Sequence, residues 1–428
     1  MESKLDGRAG AWLGVAWRPG VVLALSLCGL IALTGGCSKE SKKARHLERG
    51  GRFFEAGEWE KAKIEYLNAF RLDADDPLLI ERLGRVFYEV GDWQRAFAFL
   101  KKTIELAPDN LEARAKLASI YLAGREPDKA REEALAVLAR RPSHPEAVLI
   151  LADAALAPEK MVEVRQHILT LQTRAGDSSA IQMALGTLAM RSRDLPAAEA
   201  AFRRAQALDP KASGPHLALA RWHAVRNELD KADEEFRIAA SLPDAKPLGR
   251  LQWAEFKVRT QKLDEAKKIL DELTTRWPDF AMGWTLMAEI ALAEKRTDDA
   301  TKFINVALSR KPDHFDALLL RARMKLVANK PAEAVQEFER MSKLFPRAPE
   351  VFFQMALAQL LNNDLTRAVA ALNQALTLDP HHTEATMLLA NLDLRRGEAD
   401  NAASAMLELI RRQTNNVRAR YVLAEAFQ

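Results

Sequence analysis

One word of 34 residues recurs along this chain, and a chain written that way has few folds open to it. Pro108, Pro142, Pro210, Pro278, Pro312, Pro346 and Pro380 lie on a single ladder of that step, with Gly176, Asp244 and Thr414 on its other rungs. A second ladder runs Ala62, Ala96, Ala130, Ala198, Ala232, Ala266, Ala300, Ala334, Ala368 and Ala402, broken at Val164. A third, of small residues, runs Gly50, Gly84, Ala118, Ala152, Gly186, Ala220, Ala254, Ala288, Ala322, Ala356, Ala390 and Ala424. A period of this length marks an array in which each unit leaves an apolar face for its neighbour to cover.

The unit itself reads as helix, turn, helix. Each small rung follows a bulky residue, as in Leu83-Gly84, Leu185-Gly186 and Met287-Ala288. The large side chain fills the core and the small one lets two helices approach. A polar turn comes next at Gly57-Glu58, Gly91-Asp92, Asn227-Glu228, Asn363-Asp364 and Gly397-Glu398. Glycine or asparagine there suits the left-handed residue that ends a helix, and the acid suits the start of the following one. Pro127, Pro196 and Pro331 fall in the first turn of the second helix, where a missing N–H is harmless. That helix carries the alanine rung and an apolar residue four further on, such as Tyr66, Leu100, Phe202, Phe236 or Phe338, and stops near the ladder proline.

With Leu83-Gly84, Phe87, Ala96, Leu100 and Pro108, and again with Leu185-Gly186, Ala198, Phe202, Ala205 and Pro210, the chain resembles the tetratricopeptide repeat family. The resemblance implies an all-α, right-handed superhelical solenoid of helix-turn-helix units. It covers residues 43–414 as eleven units, with 415–428 as the first helix of a further repeat or a terminal cap. The unit at 145–178 departs most, because Val164 and Gly176 replace marker residues and Pro158 interrupts, so irregular packing is expected there. At the end of the sequence, Leu423, Ala424 and Phe427 stand where a partner helix normally covers the chain, which suggests an array that continues past Gln428.

The N-terminal segment is of another kind. Lys4, Arg8 and Arg18 precede an uncharged stretch from Val21 to Leu33, shorter than the roughly 20 residues of a spanning helix. It closes on Thr34-Gly35-Gly36-Cys37, which resembles a bacterial lipoprotein signal with Cys37 as the lipidated residue. Thr34 stands where such signals usually place leucine, so three readings remain: a cleaved lipoprotein signal over 1–36, an uncleaved anchor, and a coincidental cysteine. On the first, 37–42 is a short tether to the membrane, and Ser38 after the cysteine favours the outer membrane. Acyl chains at about 0.8 kcal/mol per CH₂ would make a stable anchor when two or three are present.

The only other cysteine, Cys28, lies inside the apolar stretch, so the body of the chain has no disulfide framework and no cysteine-based zinc site. The balance of 63 basic and 59 acidic residues, with no basic tract denser than Lys42-Lys43-Ala44-Arg45, speaks against a nucleic-acid partner. No cofactor motif is present: there is no glycine-rich phosphate loop, nucleophile elbow or paired-histidine zinc motif. The adjacent His381 and His382 point about 100° apart on a helix, a poor start for a shared metal.

The family resemblance implies that ligands touch the inner helix of each hairpin, largely at the second, fifth, ninth, twelfth and thirteenth places. Carried onto this sequence, those places give Arg85, Tyr88, Met183, Arg221, Leu251, Glu255, Glu289, Leu319, Arg323, Phe353, Leu357, Leu360, Leu361, Met387 and Asn391 as candidate groove residues. The basic clamp of carboxylate-binding chaperone repeats is absent. Two readings stand for the apolar residues around Phe353 and Leu361: core between adjacent repeats, or a docking surface for a segment of another envelope protein. The functional expectation is a non-catalytic, membrane-tethered scaffold that faces the periplasm and serves assembly, secretion or polysaccharide export. The competing expectation is the substrate-recruiting repeat region of a larger enzyme, such as a glycosyltransferase or peptidase.

Overall fold

Two stop signals per 34 residues cut the chain into paired helices, and the computed structural model, which describes residues 38–427, places them where the ladders require. The signal segment and Cys37 lie outside the described residues. Among those described there are 23 helices and no strand. They fall into two compact units that meet at Pro210 and Lys211. The first holds α1 (Lys39–Glu55), α2 (Trp59–Leu72), α3 (Pro77–Glu89), α4 (Trp93–Leu106), α5 (Leu111–Ala123), α6 (Pro127–Arg140), α7 (Pro145–Asp153), α8 (Pro158–Ala175), α9 (Ser179–Arg191) and α10 (Leu195–Leu208). The second holds α11 (Ser213–Val225), α12 (Leu229–Ser241), α13 (Pro247–Arg259), α14 (Leu263–Arg276), α15 (Ala281–Ala293), α16 (Thr297–Arg310), α17 (Phe315–Val327), α18 (Pro331–Leu344), α19 (Pro349–Leu361), α20 (Leu365–Leu378), α21 (Thr383–Arg395), α22 (Ala399–Arg412) and α23 (Val417–Ala426). Odd helices are the first of each hairpin and even helices the second. Within a unit each regular even helix packs on the odd helices to both sides, and neighbouring odd helices touch, as α3 does α5 and α15 does α17.

The turn inside the hairpin repeats almost without change. Its third residue from the helix end donates back five residues, as Glu126 to Tyr121 and Asp364 to Gln359, both at 2.9 Å. The residue before it sits in the left-handed region at Gly57, Gly91, Arg125, Arg193, Asn227, Gln261, Lys295, Asn329, Asn363 and Gly397, again 34 apart except for one gap. This is the Schellman ending. Glycine and asparagine fulfil the sequence expectation, but Arg125, Arg193, Gln261 and Lys295 adopt φ of 60–62° without either advantage. A left-handed L-residue costs roughly 1–2 kcal/mol, and glycine gives back part of that in unfolded-chain entropy. Arg193→Gly and Lys295→Gly are therefore each expected to stabilise the fold by about 0.5–1 kcal/mol. A denaturation midpoint that stays put or falls would show that these side chains contribute more than the turn costs.

The gap in the series falls in the hairpin that the sequence marks as irregular. Pro158 starts α8 early, Glu159 is already helical, and α7 is cut to nine residues. With no tight turn to hold it to α8, α7 packs chiefly on α9 instead. Arg191 of α9 secures it, donating to the carbonyls of Ala152 at 2.8 Å and Asp153 at 3.0 Å. The displaced α8 leaves an apolar cleft of about 770 Å³ between α8, α9 and α10, walled by Met161, Val162, Leu185, Leu188 and Ala200.

The first helix begins earlier than the sequence reading placed it. Ser38 caps α1 by accepting the Ser41 N–H at 3.1 Å, so residues 39–42, read as tether, are helical. Lys43 explains the extension: it binds Asp73 at 2.8 Å and Asp76 at 3.0 Å, pinning that first turn to the joint after α2. At the other end α23 buries Ala419 and Val422 and leaves Leu423 half-buried, with Ala424 and Phe427 exposed.

Candidate functional site

Because successive odd helices lie side by side, one place in the repeat becomes one row on their shared face. In the second unit the ninth place presents Arg221 on α11, Glu255 on α13, Glu289 on α15 and Arg323 on α17, all exposed. Arg221, Glu255 and Glu289 line a cavity of about 520 Å³ with Phe236, Gln252, Val258, Arg259 and Leu286, so charged walls stand over a partly apolar floor. Glu289 keeps solvent access, but the concavity strips water from its carboxyl. That desolvation, with the negative charges of Asp316 and Glu255 beside it, raises its pKa against the opposing pull of Arg323. Glu255 is raised too, by desolvation, with Arg259 opposing. Arg323 spends its guanidinium elsewhere, on Glu350 at 3.0 Å. Glu255, Glu289 and Asp316 therefore form a negative spot between flanking arginines, suited to a basic side chain set in a mixed segment.

A second recess of about 690 Å³ lies along α17, α19 and α21, lined by Arg323, Glu350, Phe353, Gln354, His382 and Gln413 among others. The two readings of the apolar candidates divide, and of these only Phe353 lines the recess. Phe353 is half-buried with its ring 4.9 Å from that of His382, and Leu360 packs on the core of Ala356 and Leu372. Leu357 is half-buried, whereas Leu361 is 60% exposed and free to meet a partner. Met387 leans on the core around Ala390, and the Asn391 amide donates to the Met387 carbonyl at 2.7 Å. Leu319 lies half-buried against the core that contains Ala317 and Ala322.

Leu251 does not belong to the groove. It is 2% exposed and packs with Leu270, Leu286 and Ile290, because at the fifth place of α13 a long side chain turns back between helices. In the first unit Arg85 lies 4.9 Å over the Phe54 ring and 3.7 Å from Glu81, Tyr88 is covered by Lys116 at 4.2 Å, and Met183 is half-buried. Arg85 and Tyr88 thus serve intramolecular contacts. Two further surface residues escaped the sequence reading: Val225 at 63% and Val327 at 81% exposure occupy the same thirteenth place as Leu361. The 34-residue step that relates Leu361 to Val327 and Val225 is the signal in the sequence that marks them. Among the described residues no group of three or more His, Cys, Asp or Glu side chains is placed to hold a metal ion, and no helix is long and apolar enough to cross a membrane.

Two sequence profiles described as Tetratricopeptide repeat match the chain, one over residues 87–139 and 359–426, the other over 183–247, 251–315 and 319–383. No curated protein sequence matches it. Among solved structures, yeast Tom70 is similar with a TM-score of 0.55 at 16% identity, over 91% of this chain and 97% of that one. The Cut9–Hcn1 hetero-tetramer of the APC/C gives 0.44 at 14% identity, over 95% and 82% respectively. Human IFIT1, a dimer with m7Gppp-AAAA, gives 0.49 at 14% identity, over 82% and 90%. At that identity the likeness to Tom70 is one of fold.

Proposed function

The chain is a tandem array of tetratricopeptide repeats, and from that premise we propose that it is a non-catalytic scaffold that binds protein segments along its odd helices. Its repeats suit protein–protein interaction. The observation that carries the reading to a surface is the row Arg221, Glu255, Glu289 and Arg323, with Leu361 and the exposed valines near it: unlike charges and isolated apolar side chains over half-open recesses. Such a surface recognises an extended or helical segment that carries a basic residue between apolar ones. The sequence before Ser38 supports a location: a lipidated Cys37 would hold the array at a membrane of the bacterial envelope, the outer membrane favoured, facing the periplasm. Partners would then be other proteins of an envelope assembly, secretion or export machine.

The test is photo-crosslinking in intact cells from probes at Glu289 and Leu361, with a probe at the outward-facing Lys302 as control. Discrete adducts from the first two, lost on Glu255→Lys with Glu289→Lys, are expected; equal labelling from Lys302 would overturn the groove reading. Cys37→Ser is expected to abolish incorporation of labelled fatty acid and to leave a larger precursor. Normal acylation of that variant would refute the anchor without touching the groove.

A further inference from the structure

The joints between hairpins carry a chemical distinction that the repeat pattern does not require. At the place before each odd helix from α3 onward, Asp76, Asn110, Ser178 and Asn416 cap with a side-chain oxygen, whereas Ala212, Lys246, Phe280 and Ala348 make no side-chain cap bond. At α7, α17 and α21 the cap is a histidine. His144, His314 and His382 each accept a backbone N–H through Nδ1, from Ala147 at 3.3 Å, Ala317 at 3.2 Å and Ala385 at 3.3 Å. A backbone N–H only donates, so Nδ1 must hold its lone pair and the ring must be neutral, with its proton on Nε2. His144 is 4% exposed and His314 8% exposed.

Three other histidines face the opposite way. Nδ1 of His46 lies 2.6 Å from Glu65, that of His216 2.6 Å from Glu235 and that of His223 2.8 Å from Glu228. A carboxylate only accepts, so Nδ1 carries the hydrogen in each of these contacts. They tie α1 to α2, and α11 to α12 and to the turn between them, so they lie inside hairpins.

We infer that mild acid loosens this array selectively at the joint between α16 and α17, which His314 caps, while the hairpins themselves stay tied. Protonating a capping ring replaces its acceptor with a donor that faces the amide, and puts a positive charge at the positive end of a helix. The surrounding charges set His314 apart from the other two capping rings. Glu112 of α5 lies 3.6 Å from Nε2 of His144, but it is also held by Arg141 at 3.0 Å. Glu146 in the first turn of α7 is bonded to Ser119. His382 has Glu350 at 3.8 Å from Nε2 and Glu384 at 3.5 Å from Nδ1, with Arg323 on Glu350, and with Asp379, His381 and Arg412 nearby. His314 has Asp313, Asp316 and Lys311 around it, and Met282 stands where Glu112 and Glu350 stand for the other two. Burial lowers the pKa of His314. Its cap is thus fully present above the unfolded value near 6.5 and weakens as pH falls below that value.

Hydrogen exchange read by mass spectrometry at pH 7.5 and pH 5, with times scaled for intrinsic exchange, tests this on the full chain. The comparison is with a His314→Asn variant, whose cap does not titrate. At pH 5 the first turn of α17 in the wild type is expected to exchange several-fold to about tenfold faster than in the variant, the range set by loss of a cap. At pH 7.5 the two should agree. Equal acid sensitivity in the variant, or loss of protection in α1–α2 and α11–α12 at the same pH, would overturn the inference. If that variant folds poorly, His314→Ser gives the same comparison at α17 with another non-titrating cap.

Discussion

Removing the two carboxylates that hold Lys257, with Asp233→Asn and Glu265→Gln, is expected to destabilise the second unit by about 3–5 kcal/mol, the cost of stranding a buried charge. Lys257 is 1% exposed. Its ammonium lies 2.6 Å from Asp233 of α12 and 2.5 Å from Glu265 of α14, so one buried cation joins a hairpin to the one before it. Asp233 also accepts the Trp253 indole N–H at 2.7 Å. By the 34-residue step Lys257 occupies the place of Phe53 and Phe87 in earlier hairpins. Lys257→Met should therefore be tolerated: it leaves the carboxylates able to reach water and restores an apolar filler, a change that is often neutral or stabilising.

The pH dependence separates this account from simple loss of packing. In the wild type, burial works to lower the lysine pKa, but the two carboxylates outweigh it and the pKa is raised. A raised folded value means that the contribution is complete at neutral pH and is lost only as pH climbs past the ordinary lysine value. In the double variant only burial remains, the folded pKa falls below the unfolded one, and stability should increase from pH 6 toward pH 10. Denaturation midpoints across that range report the sign. A deficit that does not change with pH, or a Lys257→Met protein as unstable as the double variant, would show that the cation is not the cause.

Lys257 also marks the limit of what the sequence makes legible. The fold could be read because three ladders encode three separate needs, a large residue, a small one and a stop, and repetition turned weak local signals into one strong signal. Where the pattern broke, at Val164 and Pro158, the broken hairpin was foreseeable. What could not be read were positions decided by contacts between repeats. Arg125 and Gln261 take a left-handed conformation because the helix ends on both sides impose it, although neither residue favours it. Leu251 shares its place with groove residues and yet turns inward. A lysine in an aromatic place reads as solvent-exposed until Asp233 and Glu265 are seen around it. The candidate surface was legible as a row but not as a charge distribution. Glu289 meets Asp316 because the ninth place of one hairpin faces the second place of the next, a pairing that shows only when adjacent repeats are laid side by side.

Gly186→Val is expected to cost about 3 kcal/mol, the upper end of what forced overpacking of a core does. A Cβ at Gly186 would stand 2.3 Å from Cε1, 2.5 Å from Cδ1 and 2.9 Å from Cζ of Phe202, so the Phe202 ring of α10 lies directly on the glycine of α9 and must move to admit a side chain. Pairing the change with Phe202→Leu should recover part of the loss, and a double-mutant cycle with no coupling would sink the explanation. The damage should also have a direction. α7 has few contacts with α8 and rests mainly on α9, where Arg191 holds its last carbonyls. A displaced α9 should therefore take α7 with it, and exchange should quicken over 145–153 as well as around residue 186. Gly84 offers the control, since its Cβ would meet Leu100 at 3.0 Å but its neighbours belong to regular hairpins that hold each other. Gly84→Val should loosen α3 and α4 and leave α7 protected. In an array where each repeat leans on its neighbours, the short helix that lost its own partner is the one that should fail at a distance.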